Sequence, residues 1–453
     1  MQFRSSGACA TLRSVSFVGR RLWTISLCLG AVASAMVACE ERRMPERTIR
    51  AVPSRAPAPE ATPKQPEIEP KADQARAFAS PSASAPATPP ATTSAEPSSA
   101  VVVEGEAALI VDDLVDVGPA GPATAHERGV VLVTKADDVL VAKRGELASG
   151  PNPGRTAITP LDRERKELAP YGRGPAVAGP FAYWVSQGRL VRRRIDGTGS
   201  LEVLATDARP STRVVAAARA GARPFAIYVA RPATPEDPPV ARMWIEGEKA
   251  TRTLTPDGAG ASSVALADQG TAWMLLSIDG RSGMTPLHAR RIRFDAGRVV
   301  LGADQVAWVG AGSQSTTEVF AATLKEDVWA LVPIERDVVH FGLAQIHVGR
   351  EPRVDVPASF IPFPNGANTS PVAAASLCGK TTVVFARPAS KEPGSPQELV
   401  LGVLEAQGIE RGTVIVRSKA FSDASLVGFA GGGLLAYTAD HRTWAAALRC
   451  RPR

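Results

Sequence analysis

The sequence predicts an all-β fold, a single β-propeller of about seven four-stranded blades, with two β-sandwiches in tandem as the alternative. Short runs rich in Val, Leu, Ile and Ala, bounded by Gly, Pro, Asp or Asn, recur along the chain and read as strands. No long stretch carries apolar residues at helical period, which disfavours a parallel α/β fold. The third observation is an internal repeat: Pro180-Phe181-Ala182-Tyr183-Trp184-Val185 returns 44 residues later as Pro224-Phe225-Ala226-Ile227-Tyr228-Val229. A second echo links Ala230-Arg231-Pro232-Ala233 to Ala386-Arg387-Pro388-Ala389, 156 residues on, or three units of 52. With Trp184 as anchor, equivalent strand positions fall at Leu132, Tyr228, Trp273, Trp329, Phe385 and Tyr437, with gaps of 44 to 56 residues. A period near 40 to 50 with several short strands per unit is what a propeller requires, because each blade buries its faces only against its neighbours.

The expected strands include 130–134, 139–143, 182–186, 225–230, 272–276, 299–301, 328–332, 381–386, 413–417 and 434–438. Asp196-Gly197, Asp257-Gly258 and Asp279-Gly280 suit tight turns, since Gly accepts positive φ without a steric cost. A strand near 107–111 is expected to join the carboxy-terminal blade and close the ring, with six or eight blades allowed by variable loop lengths.

Three domains are expected: 1–38, 39–100 and 101–453. Arg4, Arg13, Arg20 and Arg21 precede an apolar stretch over 22–38, with no acidic residue before Glu40. A basic segment before a short apolar one is the pattern of a secretory signal. Met36-Val37-Ala38-Cys39 then resembles the bacterial lipoprotein lipobox, with Met36 where that family usually has Leu. The resemblance implies removal of 1–38, diacylglycerol on the Cys39 thiol, acylation of the new amino terminus and attachment to a membrane of the cell envelope. Each buried methylene contributes about 0.8 kcal/mol, so more than one chain gives stable anchoring. An ordinary secretory signal or an uncleaved anchor is the alternative, and Arg20-Arg21-Leu22-Trp23 resembles a twin-arginine export signal.

From 40 to 100 the chain is Pro, Ala, Ser, Thr and scattered charge, and it holds too little apolar surface to offset the entropy of ordering. It is expected to be a disordered spacer. Extended polyproline geometry, at about 3.1 Å per residue, would give it a reach of about 190 Å.

Cys9 and Cys28 leave with the signal and Cys39 takes lipid, so Cys378 and Cys450 remain as a pair expected to form a disulfide. With Cys450 on the last strand and Cys378 one unit earlier, the bridge would clamp the ring near its closure. Tyr183-Trp184-Val185-Ser186, Gly188-Arg189-Leu190 and Arg193-Arg194-Ile195-Asp196-Gly197 are similar to one blade of the YWTD-type propellers. Ser186 stands where that family usually has an acidic residue.

The formal net charge is +7. Arg189, Arg192, Arg193 and Arg194 form one basic cluster, and His288, Arg290, Arg291 and Arg293 another. Export and the lack of interleaved aromatics argue against nucleic acid. Anionic lipid or envelope polysaccharide fits better, and charged strand edges that block sheet-to-sheet aggregation fit best.

No catalytic, metal or cofactor site emerges. Asp337 precedes His340 by three residues and His347 follows it by seven; odd separations along one strand place side chains on opposite faces, so no ligand cluster is expected. His126, His288 and His441 stand isolated. Asp112, Asp113 and Asp116 lack the Gly and terminal Glu of an EF-hand loop and read as a solvated turn. The segment 428–433, Gly-Phe-Ala-Gly-Gly-Gly, lacks the Lys-Ser/Thr of a phosphate cradle and reads as a turn between blades. No Gly-x-Ser-x-Gly elbow is present. Two classes of function follow: a membrane-tethered binding or scaffold module for a protein, peptide or glycan, or an envelope hydrolase or lyase with its site in a central funnel.

Overall fold

The computed structural model describes residues 109–450, apart from 147–155, 162–167, 170–172, 220–221, 280–284, 296, 311–317, 338–339, 355, 364–371, 391, 393 and 411. The signal, Cys39 and spacer expectations lie outside the described residues, as does Gly280. Among the described residues there are 29 strands, arranged in seven sheets, and no helix. The sheets are the blades of one seven-bladed propeller, so the tandem-sandwich alternative falls away.

The first strand, β1 (Leu109–Pro119), belongs to the last sheet, and the other blades follow in sequence order. Blade 1 holds β2 (Ala123–His126), β3 (Gly129–Val133), β4 (Val139–Glu146) and β5 (Thr156–Ile158). Blade 2 holds β6 (Ala176–Ala178), β7 (Phe181–Ser186), β8 (Arg189–Arg194) and β9 (Glu202–Ala205), and blade 3 holds β10 (Val215–Arg219), β11 (Ala222–Ala230), β12 (Val240–Ile245) and β13 (Arg252–Thr253). In blade 4 the strands are β14 (Ser263–Asp268), β15 (Trp273–Ile278), β16 (Thr285–Asp295) and β17 (Arg298–Gly310). Blade 5 consists of β18 (Phe320–Leu324), β19 (Asp327–Asp337), β20 (His340–Gly349) and β21 (Ala358–Phe363). Blade 6 has β22 (Val372–Leu377), β23 (Lys380–Pro388) and β24 (Gln397–Glu405), with its outer position split between β25 (Gly408–Ile409) and β26 (Thr413–Ser418). Blade 7 runs β27 (Phe421–Phe429), β28 (Gly432–Ala439), β29 (Arg442–Cys450) and then β1.

Pairing is antiparallel throughout, and the first strand of each blade lines the centre against its neighbours. We call the face where these inner strands begin the upper face; the turns between second and third strands lie there too. Turns from first to second and from third to fourth strands lie on the lower face.

The apolar core is seven cores, one per junction between blades. Strand periodicity of two explains this. Along β11, Phe225, Ile227 and Val229 pack on blade 4, while Ala226, Tyr228 and Ala230 pack on blade 2. Each second strand therefore reads as a continuous apolar run because both its faces are buried. All seven anchor residues lie on second strands, and the two echoes fall one and three blades apart, as their spacing predicts. Six anchors face the preceding blade, whereas Trp329 packs with Phe385 on blade 6. The residues of β19 that match the other anchors in phase are Val328 and Ala330, which face blade 4.

Ring closure follows the expected route. β1 pairs with β29 from Leu109 opposite Cys450 to Pro119 opposite Arg442. Cys378, in the β22–β23 turn at φ 54°, is bonded to Cys450 with 5.6 Å between Cα atoms. The glycine-rich segment is the β27–β28 turn within blade 7 and does not connect blades. A Cβ at Gly428 would meet the Ser376 carbonyl and one at Gly433 the Leu377 side chain, so only glycine lets blade 7 approach the turn that carries Cys378.

Asp112, Asp113 and Asp116 are also not a solvated turn. They lie on β1, where Asp112 receives both its carboxylate oxygens' bonds from Arg449 Nε at 3.0 Å, Asp113 accepts from Ile158 N at 2.9 Å, and Asp116 pairs with Arg442. The strand edge that a turn would have left open is thereby tied to its neighbours.

Candidate functional site

The inner strands surround a central channel; its lining includes Thr124, Ala176, Val215, Ala217, Leu266 and Ser425, together with Arg213 and, where β14 turns into β15, Asp268 and Trp273. At the upper mouth the composition changes to charge. Arg173 precedes β6, Arg213 precedes β10, Glu318 precedes β18, and Asp423 lies near the start of β27.

These four side chains pair across the channel. Arg173 of blade 2 bonds Glu318 of blade 5, and Arg213 of blade 3 donates to Asp423 of blade 7 at 3.3 Å. Arg173 also donates to the Ser422 carbonyl at 3.3 Å, and Gly174 N donates to Asp423 at 3.3 Å. The Arg213 guanidinium lies 4.7 Å from the centre of the Phe320 ring, a cation–π contact. Burial pulls the Arg213 pKa down, Asp423 acts in the opposite sense, and Arg173 adds to the depression. Such an arginine requires its carboxylate, because an uncompensated charge removed from water is costly.

Beside this mouth, blade 7 forms a recess lined by Ala120, Lys419, Phe421, Thr438, Asp440 and His441, which shares Ala120, Ser422 and Thr438 with a smaller cleft that also reaches Arg173 and Ser211. The β28–β29 turn that frames it holds Asp440 and His441 at φ 47° and 61°, a left-handed pair in which Asp and His are among the better tolerated non-glycine residues. The turn is held by the His441 carbonyl, which accepts from Ala120 N at 2.9 Å.

The residues singled out by sequence are dispersed. His288 is buried with its Nδ1 2.7 Å from Asp304, so it is a paired core residue of blade 4. His347 stacks on Trp329, with ring centres 4.6 Å apart, and its Nε2 lies 3.0 Å from Asp327. The single-strand reading of Asp337 and His340 is corrected: Asp337 ends β19, His340 begins β20, and the two are register partners in that hairpin. His126 Nδ1 accepts from Arg128 N at 3.3 Å, and burial lowers its pKa. Only His441 lines the recess, and no group of three His, Cys, Asp or Glu side chains among the described residues is placed to hold a metal.

Neither basic cluster guards a strand edge. β8 and β16 are third strands, hydrogen-bonded on both sides. Their arginines join blades instead: Arg192 bonds Glu246 of blade 3 at 3.0 Å, Arg193 bonds Asp138 of blade 1, and Arg291 bonds Glu351 of blade 5. Arg194 is held by Asp196 within its own turn. The four mouth residues were missed by sequence reading; the available signal was a charge within three residues of the start of four inner strands.

No family model and no curated protein matches the sequence. Among solved structures, the N-terminal domain of Nup159 is 11% identical over 75% of this chain and 95% of its own, with a TM-score of 0.42. A protein of unknown function from Dyadobacter fermentans is 13% identical over 76% of this chain and all, 100%, of its own, with a TM-score of 0.41. A neuraminidase-like protein of A/little yellow-shouldered bat/Guatemala is 11% identical over 60% of this chain and 94% of its own, with a TM-score of 0.38. The assignment of the propeller rests on the order and closure of the seven sheets.

Proposed function

We propose that this chain is a lipid-tethered binding module of the bacterial cell envelope, which uses the upper face of the propeller to hold a partner. Cys39 is the lipidated residue in this reading and 40–100 the spacer, which raises the local concentration of the binding face near the membrane. The carrying observation is the state of the channel mouth. Arg173, Arg213, Glu318 and Asp423 pair with one another across the ring, so these charges serve as struts beside a recess of mixed apolar, hydroxyl and charged groups. Convergent polar groups around a concave apolar floor are the usual make-up of a recognition site.

Blade 2 is proposed to be of the YWTD type. Asp137 of blade 1 supports this, because it accepts from Ser186 Oγ at 2.8 Å and from Trp184 Nε1 at 3.3 Å, supplying the acidic group that the motif lacks in its own strand.

Labelled palmitate should enter the wild-type chain and not Cys39→Ser. Crosslinking in the native envelope should capture one discrete partner, and Lys419→Ala with His441→Ala should abolish capture at an unchanged melting temperature. Hydrolysis or elimination by the purified chain on envelope glycans or peptides, lost on Asp423→Asn, would replace binding by catalysis.

A further inference from the structure

Three loops of the upper face meet at Gly188. The β7–β8 turn places Gln187 and Gly188 at φ 49° and 76°. The crossing from blade 2 to blade 3 bridges the end of β11, where Ala208 faces Ala230, Arg209 N donates to the Val229 carbonyl at 2.8 Å, and Arg231 N donates to the Asp207 carbonyl at 2.7 Å. Gly188 closes the knot: the position of a Cβ there lies 3.5 Å from both the Ala208 carbonyl and the Arg231 guanidinium.

Each loop brings one exposed arginine, namely Arg189, Arg209 and Arg231. None of the three has a carboxylate partner among the described residues. Arg189 donates to Gln187 at 3.1 Å and Arg231 to the Thr206 carbonyl at 2.8 Å. Asp207, the nearest acid in this knot, is engaged by Arg242 and by Tyr228 Oη. The second copy of the Ala-Arg-Pro-Ala echo is an internal control. Arg387 of blade 6 is paired with Glu398, which also holds Arg417, whereas Arg231 at the corresponding place of blade 3 has no carboxylate among the described residues.

The loop that carries Arg209 also carries Ser211, which lines the cleft with Arg173, Ser422, Thr438 and Asp423, the last paired with Arg213. An arginine rim thus runs into a hydroxyl-bearing cleft. Arginine forks match carboxylates in two-point geometry, and hydroxyls match sugar hydroxyls. We infer that this rim and cleft bind an acidic polysaccharide, its carboxylates on Arg189, Arg209 and Arg231 and its hydroxyls in the cleft. A polysaccharide is favoured over an anionic membrane surface because the cleft sets hydroxyls beside the arginines. This inference rests on the binding reading above and names the ligand class for the same face.

The test is binding of the full-length chain to immobilised polygalacturonate, with neutral dextran and phosphatidylglycerol vesicles in parallel. Retention on polygalacturonate alone, weakened by salt, is expected. Arg189→Gln, Arg209→Gln and Arg231→Gln together should weaken it at least tenfold without changing the circular dichroism. Arg298→Gln with Lys380→Gln, both exposed on the lower face, should leave it unchanged. Equal binding by the triple variant, equal loss in the lower-face pair, or preference for the vesicles would overturn the inference. If polygalacturonate is not bound while envelope crosslinking still captures a partner, this inference fails and the binding reading stands; if neither occurs, both fail.

Discussion

Blade 3 and blade 7 are built from the same number of strands and are held by different means. Blade 3 is one continuous stretch whose outer strand, β13, contributes two paired residues, Arg252 and Thr253. Its neighbours grip it through fully buried Phe225, Ile227, Val229, Met243 and Ile245, and nothing covalent reinforces it. Blade 7 takes its outer strand from the other end of the chain. β1 is eleven residues long with nine of them paired, adds the Asp112–Arg449 and Asp116–Arg442 ion pairs, and pairs at its first residue with a cysteine bonded to blade 6.

Chain entropy accounts for the contrast. Arg242 and Thr253 of blade 3 are 11 residues apart, whereas Asp112 and Arg449 are 337 apart. Closure cost grows as the logarithm of loop length, which makes the second contact about 3 kcal/mol more expensive to form. A strand arriving through its own short hairpin needs little to hold it, and a strand arriving from the far terminus needs length, charge and a covalent staple.

The largest effect that would sharpen this comparison is removal of the staple. A 72-residue loop is closed by the disulfide, so Cys378→Ser with Cys450→Ser should destabilise by about 4 kcal/mol. Hydrogen exchange should then quicken first in β1 and β29, with β11 still protected. Equal loss of protection in β11 would show that the two blades unfold as one unit and break the comparison.

Asp112→Ala comes next. The Asp112 carboxylate is only 1% exposed, and its loss leaves Arg449 without the acid that β1 brings to it. A penalty of about 3 kcal/mol is expected, at the low end for a broken buried pair because Arg449 is itself about one-third solvated. On the outer strand of blade 3, Arg252→Gln removes a partly solvated pair with Glu248, which keeps Arg223 as a partner, and should cost under about 1 kcal/mol by chemical denaturation. Comparable penalties at the two sites would remove the distinction between a latch and a surface pair.

How much of this was legible in the sequence follows from the range of the interactions. Second strands were readable because both faces are apolar, so Tyr228 and Phe385 announce their strand whatever the register. Phase was less readable: Trp329 stood out by size, yet its face depends on which residues β19 meets in blades 4 and 6. Asp112 looked like part of a solvated turn because its partner lies at the other end of the chain. The mouth residues were hidden for the same reason, since Arg173 and Glu318 are 145 residues apart and Arg213 and Asp423 are 210 apart. The Arg193 and Arg291 clusters looked like bare charge because their acids sit on neighbouring blades. Local patterning specifies a strand, and only ring closure brings these distant partners together.

The smallest expected effect concerns pH at the seam between blade 7 and blade 1. His126 ends β2, whose Ala125 N donates to Ser425 Oγ of blade 7 at 3.2 Å, and its own Nδ1 accepts a backbone hydrogen bond, which requires the neutral ring. Burial is the main cause that lowers its pKa below the ordinary 6.5; Arg128 adds to the depression and Glu127 opposes it. The unfolded chain therefore binds the proton first as pH falls, and stability is lost between 6.5 and the lower folded value, with no further loss from this group below that. Unfolding measured from pH 7.5 to 5 should show a shallower acid slope in His126→Gln than in the wild type, and hydrogen exchange should place the difference in β2 and β27. Superimposable slopes would mean that His126 titrates alike in both states and contributes nothing to the acid sensitivity of this seam.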